Sequence, residues 1–355
     1  MSAAGGPPRL LQAMAGAPVG GAEAFFERLA AAFARRGVAQ RVVIRRDARR
    51  AAALRAAGVE VVELGFGGKL DLATRWALAR EIRGFAPGVV MGWMNRACAA
   101  LPPRLLVPGA RHASVGRLGG YYALKYYRRC DWLVANTPDI RDWLVRQGWP
   151  ASRVEYLPNF VDATPAAPAD RAELGTPADA PLALALGRLH PNKGLDILLE
   201  ALARAPGLHL WIAGEGPEEQ ALRARAASLG IEGRVRFLGW RRDVASLLAA
   251  CDMLACPSRH EPLGNVVIEA WAHRRPVVAA ASQGPRQLLR DGETGLLVPV
   301  EDADALARAM SALAADRARA AALAAAGRDA YEAGFTEAAV VQRYLDFLAA
   351  IAGPS

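Results

Sequence analysis

Residues 257–280 read PSRHEPLGNVVIEAWAHRRPVVAA, a sequence in which a loop rich in proline and glycine leads into apolar runs. An apolar run at residues 253–256 precedes it and is typical of a buried strand. After the loop, the apolar segment 265–273 predicts a helix, and residues 276–279 predict a second strand. The succession of strand, loop, helix and strand indicates a parallel α/β sheet.

Two carboxylates accompany the predicted helix. Asn265 is suited to cap its N-terminus, so the amides of the first turn would point freely toward an anion. Glu269 lies one turn further, about 6 Å along the axis, and its side chain leans back toward the same place. Glu261 approaches from the preceding loop. As an alternative, Glu269 complements the helix dipole and Glu261 is a solvated loop charge, but this does not explain a lone carboxylate in an apolar helix. We therefore expect a site for a ligand rich in hydroxyls and phosphate.

The pattern E-P-x-G-x4-E-A, followed by P-V-V-A, resembles the donor-site signature of the retaining GT-B glycosyltransferases of family four, the glycosyl transferases group 1. The resemblance implies that Glu269 binds the ribose of a nucleotide and that Glu261 binds hydroxyls of the donor sugar. It also implies that the backbone at Gly264, Asn265 and Val266 binds the donor diphosphate.

The composition is that of a folded protein with one very large domain or two ordinary ones, since 355 residues include 53% apolar and 22% charged residues. No apolar window is long enough to span a membrane, and the first residues do not resemble a secretion signal. The four cysteines have no metal or redox spacing and indicate a reducing compartment. We expect a cytoplasmic protein.

Positive charge is concentrated in the first part of the chain. Residues 1–160 carry 24 Lys and Arg against 11 Asp and Glu, whereas the remainder carries 20 against 24. Basic and aromatic side chains occur together at residues 121–129, where a short helix is predicted: Tyr121, Tyr122, Lys125, Tyr126, Arg128 and Arg129. These suit an anionic membrane surface on the inner face of the cell membrane, and equally an ordinary helix with solvated cations. No nucleic-acid-binding motif is present.

A glycine loop, A-G-A-P-V-G-G-A-E, follows a predicted strand at residues 9–14 and precedes a predicted helix at 22–36. The bare amides of Gly20 and Gly21 at a helix start suit phosphate, although a simple helix cap has the same appearance. In the family that the chain resembles, a G-G-x-E loop closes over the donor diphosphate, and Glu23 completes that match.

His112 follows a strand-like run at residues 105–107. A lone histidine is more often structural than catalytic. The resemblance implies a histidine here that hydrogen-bonds the transferred sugar, but the family's following aspartate is replaced by Ala113. We therefore expect His112 to position the sugar rather than to act as a general base.

The second half contains G-R-L-H-P-N-K-G after a strand-like run at residues 182–186. Arg188 and Lys193 flank a strand-to-helix turn, which suits a diphosphate better than either cation alone would. The resemblance implies that they neutralise the leaving nucleotide diphosphate. Gly239 follows a strand-like run at 235–238, and in the family such loops hold the nucleobase largely through backbone.

A Pro/Ala-rich run at residues 163–181 marks the best domain boundary. We expect an acceptor-binding domain at 1–162, a nucleotide-sugar domain at 163–335 and, from the resemblance, a terminal helix at 336–355 that crosses back to the first domain. The fold class expected is α/β: GT-B, with two doubly wound Rossmann-like parallel-sheet domains facing across a cleft.

The function expected is retaining transfer of a hexose from a UDP-sugar or GDP-sugar to a glycan or lipid-linked acceptor, such as a lipopolysaccharide core. The family that the chain resembles needs no metal or other cofactor. A GT-B sugar-nucleotide epimerase or a phosphorylase would share the fold. A catalytically degenerate module that binds a membrane or a polyanion would share the charge distribution.

Overall fold

The computed structural model describes residues 8–18, 20–68 and 71–352, which form two compact units. The first unit contains the described residues up to Asn159 together with those from Glu337 onward. The second unit spans Phe160–Thr336. Across the described ranges, no helix is both long and apolar enough to cross a bilayer.

The first unit is built on a parallel sheet with the order β3-β2-β1-β4-β5-β6-β7. Its described strands are β1 (Leu10–Met14), β2 (Gln40–Arg45), β3 (Glu60–Leu64), β4 (Val89–Trp93), β5 (Ala113–Leu118), β6 (Trp132–Ala135) and β7 (Val154–Tyr156). Its helices are α1 (Gly21–Arg35), α2 (Ala48–Ala56), α3 (Leu72–Phe85), α4 (Met94–Ala100), α5 (Pro138–Arg146) and the C-terminal helix of the chain (Glu337–Ile351), which is numbered last as α13.

Burial explains why these segments become strands and helices. All five residues of β1 are buried, as expected for a central parallel strand covered on both faces. Short polar side chains begin the helices: Asp47 accepts a hydrogen bond from the amide of Arg50 at α2, and Thr137 accepts one from Ile140 at α5.

The chain changes direction in the first sheet between β1 and β4. From β1 it proceeds outward through β2 and β3, and then it returns to the other side of β1 to form β4. In doubly wound sheets, ligands bind at the carboxyl ends of the two strands that flank this switch point. The loop containing Gly20 and Gly21 follows β1 and therefore lies at this edge.

The second unit has a parallel sheet with the order β10-β9-β8-β11-β12-β13. Its described strands are β8 (Leu182–Leu186), β9 (His209–Ala213), β10 (Val235–Gly239), β11 (Met253–Cys256), β12 (Val277–Ala280) and β13 (Leu296–Val298). Its helices are α6 (Leu195–Ala203), α7 (Glu219–Ser228), α8 (Val244–Ala250), α9 (Asn265–Ala272), α10 (Gln283–Leu288), α11 (Ala303–Ala315) and α12 (Arg317–Gly334). The switch point of this sheet lies between β8 and β11. The predicted pair of doubly wound, Rossmann-like parallel sheets is confirmed.

The strand predicted at residues 105–107 is wrong. Arg104–Leu106 form a 3₁₀ turn, and the next strand of the sheet, β5, begins at Ala113. The apolar run is flanked by Pro103 and Pro108, and proline removes the amide donors that a central strand requires.

The short helix predicted at residues 121–129 is also wrong, because only a 3₁₀ turn at Leu124–Tyr126 is regular. The tyrosines do not share a helical face. Tyr127 is fully buried in the core of the first unit, whereas Tyr121 packs edge-on against Trp143 with ring centroids 5.6 Å apart. The segment follows these separate contacts rather than a 3.6-residue period.

Candidate active site

A lysine and a glutamate meet at the switch point of the second sheet. Lys193 ends a 3₁₀ turn in the loop after β8, and Glu261 lies in the loop after β11. The ammonium of Lys193 donates a hydrogen bond to Oε2 of Glu261, while the amide of Gly264 donates to Oε1 at 3.3 Å. Two of the residues predicted from the sequence are thus joined as an ion pair.

The environment of Lys193 keeps it charged. Burial alone would lower the pKa of its ammonium, but the charge and hydrogen bond of Glu261 outweigh burial and raise the pKa above its usual value. The charge of Glu269, one turn into α9, acts in the same direction. The pair and Glu269 therefore form one electrostatic cluster at the switch point, and we call it the lysine–glutamate cluster.

Helix α9 begins beside this cluster. Its N-cap is Gly264, with φ 83° in the left-handed region, so the prediction that Asn265 caps the helix is wrong. Glycine is favoured at the cap because a side chain would be strained at this φ, and Asn265 and Val266 instead form the first turn. Since Gly264 has no side chain with which to cap the helix, the first-turn amides can be capped by an anion.

Glycines bring the loops of this edge into backbone contact. A Cβ atom at Gly194 would lie 2.3 Å from the carbonyl oxygen of Pro257, and one at Gly214 would lie 1.9 Å from that of Gly187. The loops after β8, β9 and β11 therefore touch through backbone atoms, a framework that holds Lys193 firmly in position.

Arg259 fixes the same loops through its side chain. Its guanidinium pairs with both carboxylate oxygens of Asp196, at 2.8 and 2.7 Å, and with Glu301 at 2.7 Å. It also donates to the carbonyl of Pro191, two residues before Lys193. Sequence reasoning missed this arginine, because its partners lie far away in the chain.

Two further predicted residues of the second unit are Arg188, in the loop after β8, and Gly239, at the end of β10. Arg188 is exposed after β8. Gly239 ends β10, and its carbonyl accepts a hydrogen bond from Gly214 at 2.8 Å. The next residue, Trp240, was missed as a candidate: its side chain is 55% exposed, and its amide donates to Oε1 of Glu215 at 3.3 Å. An exposed indole at a strand end suits stacking on a flat ring such as a nucleobase.

In the first unit, Gly20 and Gly21 lie at the start of α1, with Gly20 as an extended N-cap residue. Glu23 is 7% exposed, and its Oε1 accepts a hydrogen bond from the amide of Ala17 at 2.8 Å. Arg50, which is 1% exposed, donates to the carbonyl of Ala17 at 2.8 Å. Glu23 therefore holds the glycine loop in place rather than facing a ligand.

His112 is not where the sequence reasoning expected it. It precedes β5, so it lies at the amino edge of a parallel sheet, whereas Gly20 follows β1 at the carboxyl edge. Burial and the nearby charge of Arg104 lower the pKa of His112 to about 4. It is a neutral, half-buried side chain at the opposite edge of the sheet from Gly20, so the structure does not bring it to the glycine loop, and its role in positioning the sugar stays a prediction.

At the carboxyl end of β5 the structure has an arginine instead. Arg117 is fully buried, hydrogen-bonds Oδ1 of Asn159 and lies 4.9 Å over the ring of Phe25. Nearby, Oδ1 of the buried Asn136 has no hydrogen-bond partner in the part of the chain that the structure describes. A charged residue inside the strand-like sequence ASVGRL was the signal that could have revealed this cluster.

The cations of the aromatic segment do not lie on a helix face. Lys125, Arg128 and Arg129 line a pocket in the first unit together with Tyr126. Tyr121 is committed to a hydrogen bond with Asp139. In the described ranges, no group of three or more His, Cys, Asp or Glu side chains is arranged to hold a metal ion.

Two family profiles match the chain. The glycosyl transferases group 1 profile matches residues 167–330, and the Glycosyltransferase Family 4 profile matches residues 19–164. The lipopolysaccharide core biosynthesis glycosyltransferase LpsE of Rhizobium meliloti (strain 1021) is 39% identical over 338 residues, which cover 93% of this chain and 96% of LpsE.

Solved structures are similar over the same length. Anabaena Alr3699/HepE in complex with UDP matches with a TM-score of 0.85 and 23% identity, covering 96% of this chain and 99% of HepE. The complex of HepE with UDP-glucose matches with a TM-score of 0.82 and 22% identity, covering 97% of this chain and 100% of HepE. At these identities the likeness shows the fold.

Proposed function

The chain belongs to the group 1 glycosyl transferases, with a first domain of glycosyltransferase family 4, and on this premise we propose that it transfers a hexose to a glycan hydroxyl. The donor is a nucleoside diphosphate sugar, and the configuration at the anomeric carbon is retained. The single observation that carries the proposal is the lysine–glutamate cluster at the switch point of the second sheet. A charged lysine, two carboxylates and a helix N-terminus without a side-chain cap suit a sugar nucleotide.

The leaving group is the part of the donor that needs stabilisation. As the bond between the anomeric carbon and the diphosphate oxygen breaks, negative charge grows on the diphosphate. Lys193, Arg188 and the first-turn amides of α9 are the groups of the second unit suited to receive it. Preorganised charges of this kind usually make the largest single contribution to catalysis.

The two glutamates are assigned to binding. Glu261 is engaged by Lys193 and by the amide of Gly264, so it is held as an acceptor for sugar hydroxyls. Glu269 is half-buried on α9 and is assigned to the ribose hydroxyls. With retention, the acceptor oxygen bonds to the anomeric carbon on the face that the phosphate leaves, and the acceptor proton passes to the departing phosphate oxygen.

We favour a UDP-sugar as donor and a lipopolysaccharide core glycan as acceptor. HepE has been solved with UDP and with UDP-glucose, which supports the first choice. LpsE is a lipopolysaccharide core biosynthesis glycosyltransferase, and its similarity over nearly the whole chain supports the second.

A thermal-shift panel of UDP, GDP and ADP tests the donor site. A ligand that binds only the native protein at about 100 times its Kd adds about 2.7 kcal/mol of stability, which raises Tm by roughly 5–10 °C for a unit of this size. We expect UDP to give that shift and Glu269→Ala to weaken UDP binding about 10- to 100-fold, because a charge-assisted hydrogen bond is lost.

Glu219→Ala is the matched control for this panel. Glu219 is a carboxylate on α7 of the same unit, partly exposed and paired with Arg223 at 2.8 Å. The control should bind UDP like the wild type. A shift with GDP alone would overturn the choice of nucleotide, and equal UDP binding by Glu269→Ala would overturn the assignment of Glu269.

A further inference from the structure

A pocket of about 640 Å³ lies within the first unit, and none of the proposed donor residues lines it. Its walls come from the loop after β3, from α3, from α4 and from the aromatic segment after β5, and they include Phe66, Asp71, Arg75, Arg96, Lys125 and Arg128. All of these segments follow the carboxyl ends of their strands or begin the next helix. The volume is within the range of about 300–1,000 Å³ that is usual for small-molecule sites.

The lining is strongly positive. Five cations contribute to it, and none of them forms an ion pair with a carboxylate within the described ranges: Arg75, Arg96, Lys125, Arg128 and Arg129. Burial and the charge of Arg75 lower the pKa of Arg129, which shows that the cations act on one another. By contrast, Arg41 of the same unit pairs with both Glu60 and Glu81.

The carboxylate that lines the pocket is already engaged. Asp71 accepts hydrogen bonds from the hydroxyl of Thr74 at 2.5 Å, from the amide of Thr74 at 2.9 Å and from the amide of Gly67 at 2.6 Å. These bonds, aided by the charge of Arg75, lower the pKa of Asp71. Asp71 therefore shapes the loop, and the excess positive charge remains for a ligand.

Backbone strain marks the same walls. Phe66 and Met94 have positive φ values of 48° and 59°, which non-glycine residues rarely adopt. Phe66 is held by a hydrogen bond from its amide to the hydroxyl of Thr74 at 3.1 Å, and Met94 starts α4 immediately before Asn95 and Arg96. Strain of this kind persists only where the surrounding structure enforces it, and it is concentrated at binding and active sites.

We propose that this cationic pocket binds an anionic substituent of the acceptor glycan, a carboxylate or a phosphate ester, so that the acceptor class is an acidic oligosaccharide. That the bound glycan is the acceptor rests on the proposed function. Binding of an acidic sugar in the pocket does not depend on the proposed function. Five cations around a concave site exceed what a neutral sugar needs, and guanidinium groups match both oxyanions with paired hydrogen bonds. A flat membrane surface would not require the cations to converge on a pocket.

The test measures binding of three sugars to the full chain by saturation-transfer NMR at low salt: glucuronic acid, glucose 6-phosphate and glucose. We expect one or both acidic sugars to bind and glucose to bind at least tenfold more weakly. The variant Arg96→Gln/Arg128→Gln should weaken binding of the acidic sugars about 10- to 100-fold, because charge-assisted contacts are lost. Both residues are exposed, so the variant should fold.

Arg80→Gln is the control, since Arg80 lies on the same helix as Arg75 but outside the pocket. Equal binding of glucose and the acidic sugars, or binding unchanged in the double variant, would overturn the proposal. The proposal would also be overturned if the wild type bound phosphatidylglycerol vesicles but no acidic sugar, and the double variant lost binding to the vesicles. UDP binding is measured in parallel. If UDP does not bind while the acidic sugars do, the assignment of the donor site is wrong and the proposal for the pocket is retained.

Discussion

Lys193→Ala is expected to lower kcat for sugar transfer by about 10²- to 10³-fold, the scale seen when one preorganised group that stabilises transition-state charge is removed. Lys193 is the cation of the lysine–glutamate cluster, and its pKa is raised by Glu261. Its charge is therefore retained at neutral pH. The measurement is the initial rate of nucleoside diphosphate release at saturating donor and acceptor.

The same substitution leaves Glu261 without its partner in a poorly hydrated loop, so a structural effect must be separated from a catalytic one. The variant Lys193→Ala/Glu261→Gln removes the unpaired charge and should be at least as slow as Lys193→Ala while keeping the wild-type melting temperature. Arg223→Ala removes an exposed cation of α7 in the same unit and should keep full activity. Turnover by Lys193→Ala within threefold of the wild type would refute the role of Lys193.

Gly214→Ala is expected to destabilise the second unit by about 3 kcal/mol, because a methyl group would meet backbone that cannot move aside. The new Cβ atom would lie 1.9 Å from the carbonyl oxygen of Gly187, and the φ of +153° is itself unfavourable for alanine. Since the loop after β8 carries Lys193, loss of this backbone contact should also reduce UDP binding. The measurement is the urea midpoint of the second unit's unfolding.

Gly230→Ala provides the comparison for this prediction. Gly230 also has a positive φ, +66°, but a Cβ atom there would meet nothing within 4 Å. Gly230→Ala should lower the free energy of unfolding by only about 1 kcal/mol, which is the conformational penalty without a steric clash. Equal destabilisation by the two substitutions would show that the contact between the loops after β8 and β9 does not stabilise the unit.

The sequence predicted the donor-side motifs because they are local. The residues of E-P-x-G-x4-E-A fall within one loop and one helix, and the spacing of Glu261 and Glu269 brings both to the start of α9. The cap was misplaced by one residue because Asn265 is a good capping residue, whereas the left-handed turn at Gly264 is a property of the backbone.

The error in placing His112 arose from reading apolar runs as strands. The run at residues 105–107 is apolar but lies between prolines, while the true strand, β5, contains Ser114, Gly116 and Arg117 and does not look apolar. In the structure Gly116 packs so closely that a Cβ atom would lie 2.7 Å from the ring of Tyr127. Long-range packing of this kind overrides the local pattern.

The cationic pocket could not be predicted, because its walls come from three segments separated by tens of residues. The sequence showed the excess charge of the first 160 residues and the cluster at Lys125, Arg128 and Arg129. It did not show that Arg75 and Arg96 join them, or that Asp71 is already engaged by Thr74. The number of charged residues can be read from the sequence, but which of them line one pocket is known only from the structure.

The most direct test of the proposed activity is proton NMR of the protein with UDP-glucose, other UDP-hexoses in turn, and truncated lipopolysaccharide core oligosaccharides. We expect release of UDP that depends on the oligosaccharide, together with a new anomeric proton of the same α configuration as the donor. A β-configured product would contradict retention. Consumption of the donor without any oligosaccharide, or only with inorganic phosphate, would contradict glycosyl transfer and indicate an epimerase or a phosphorylase.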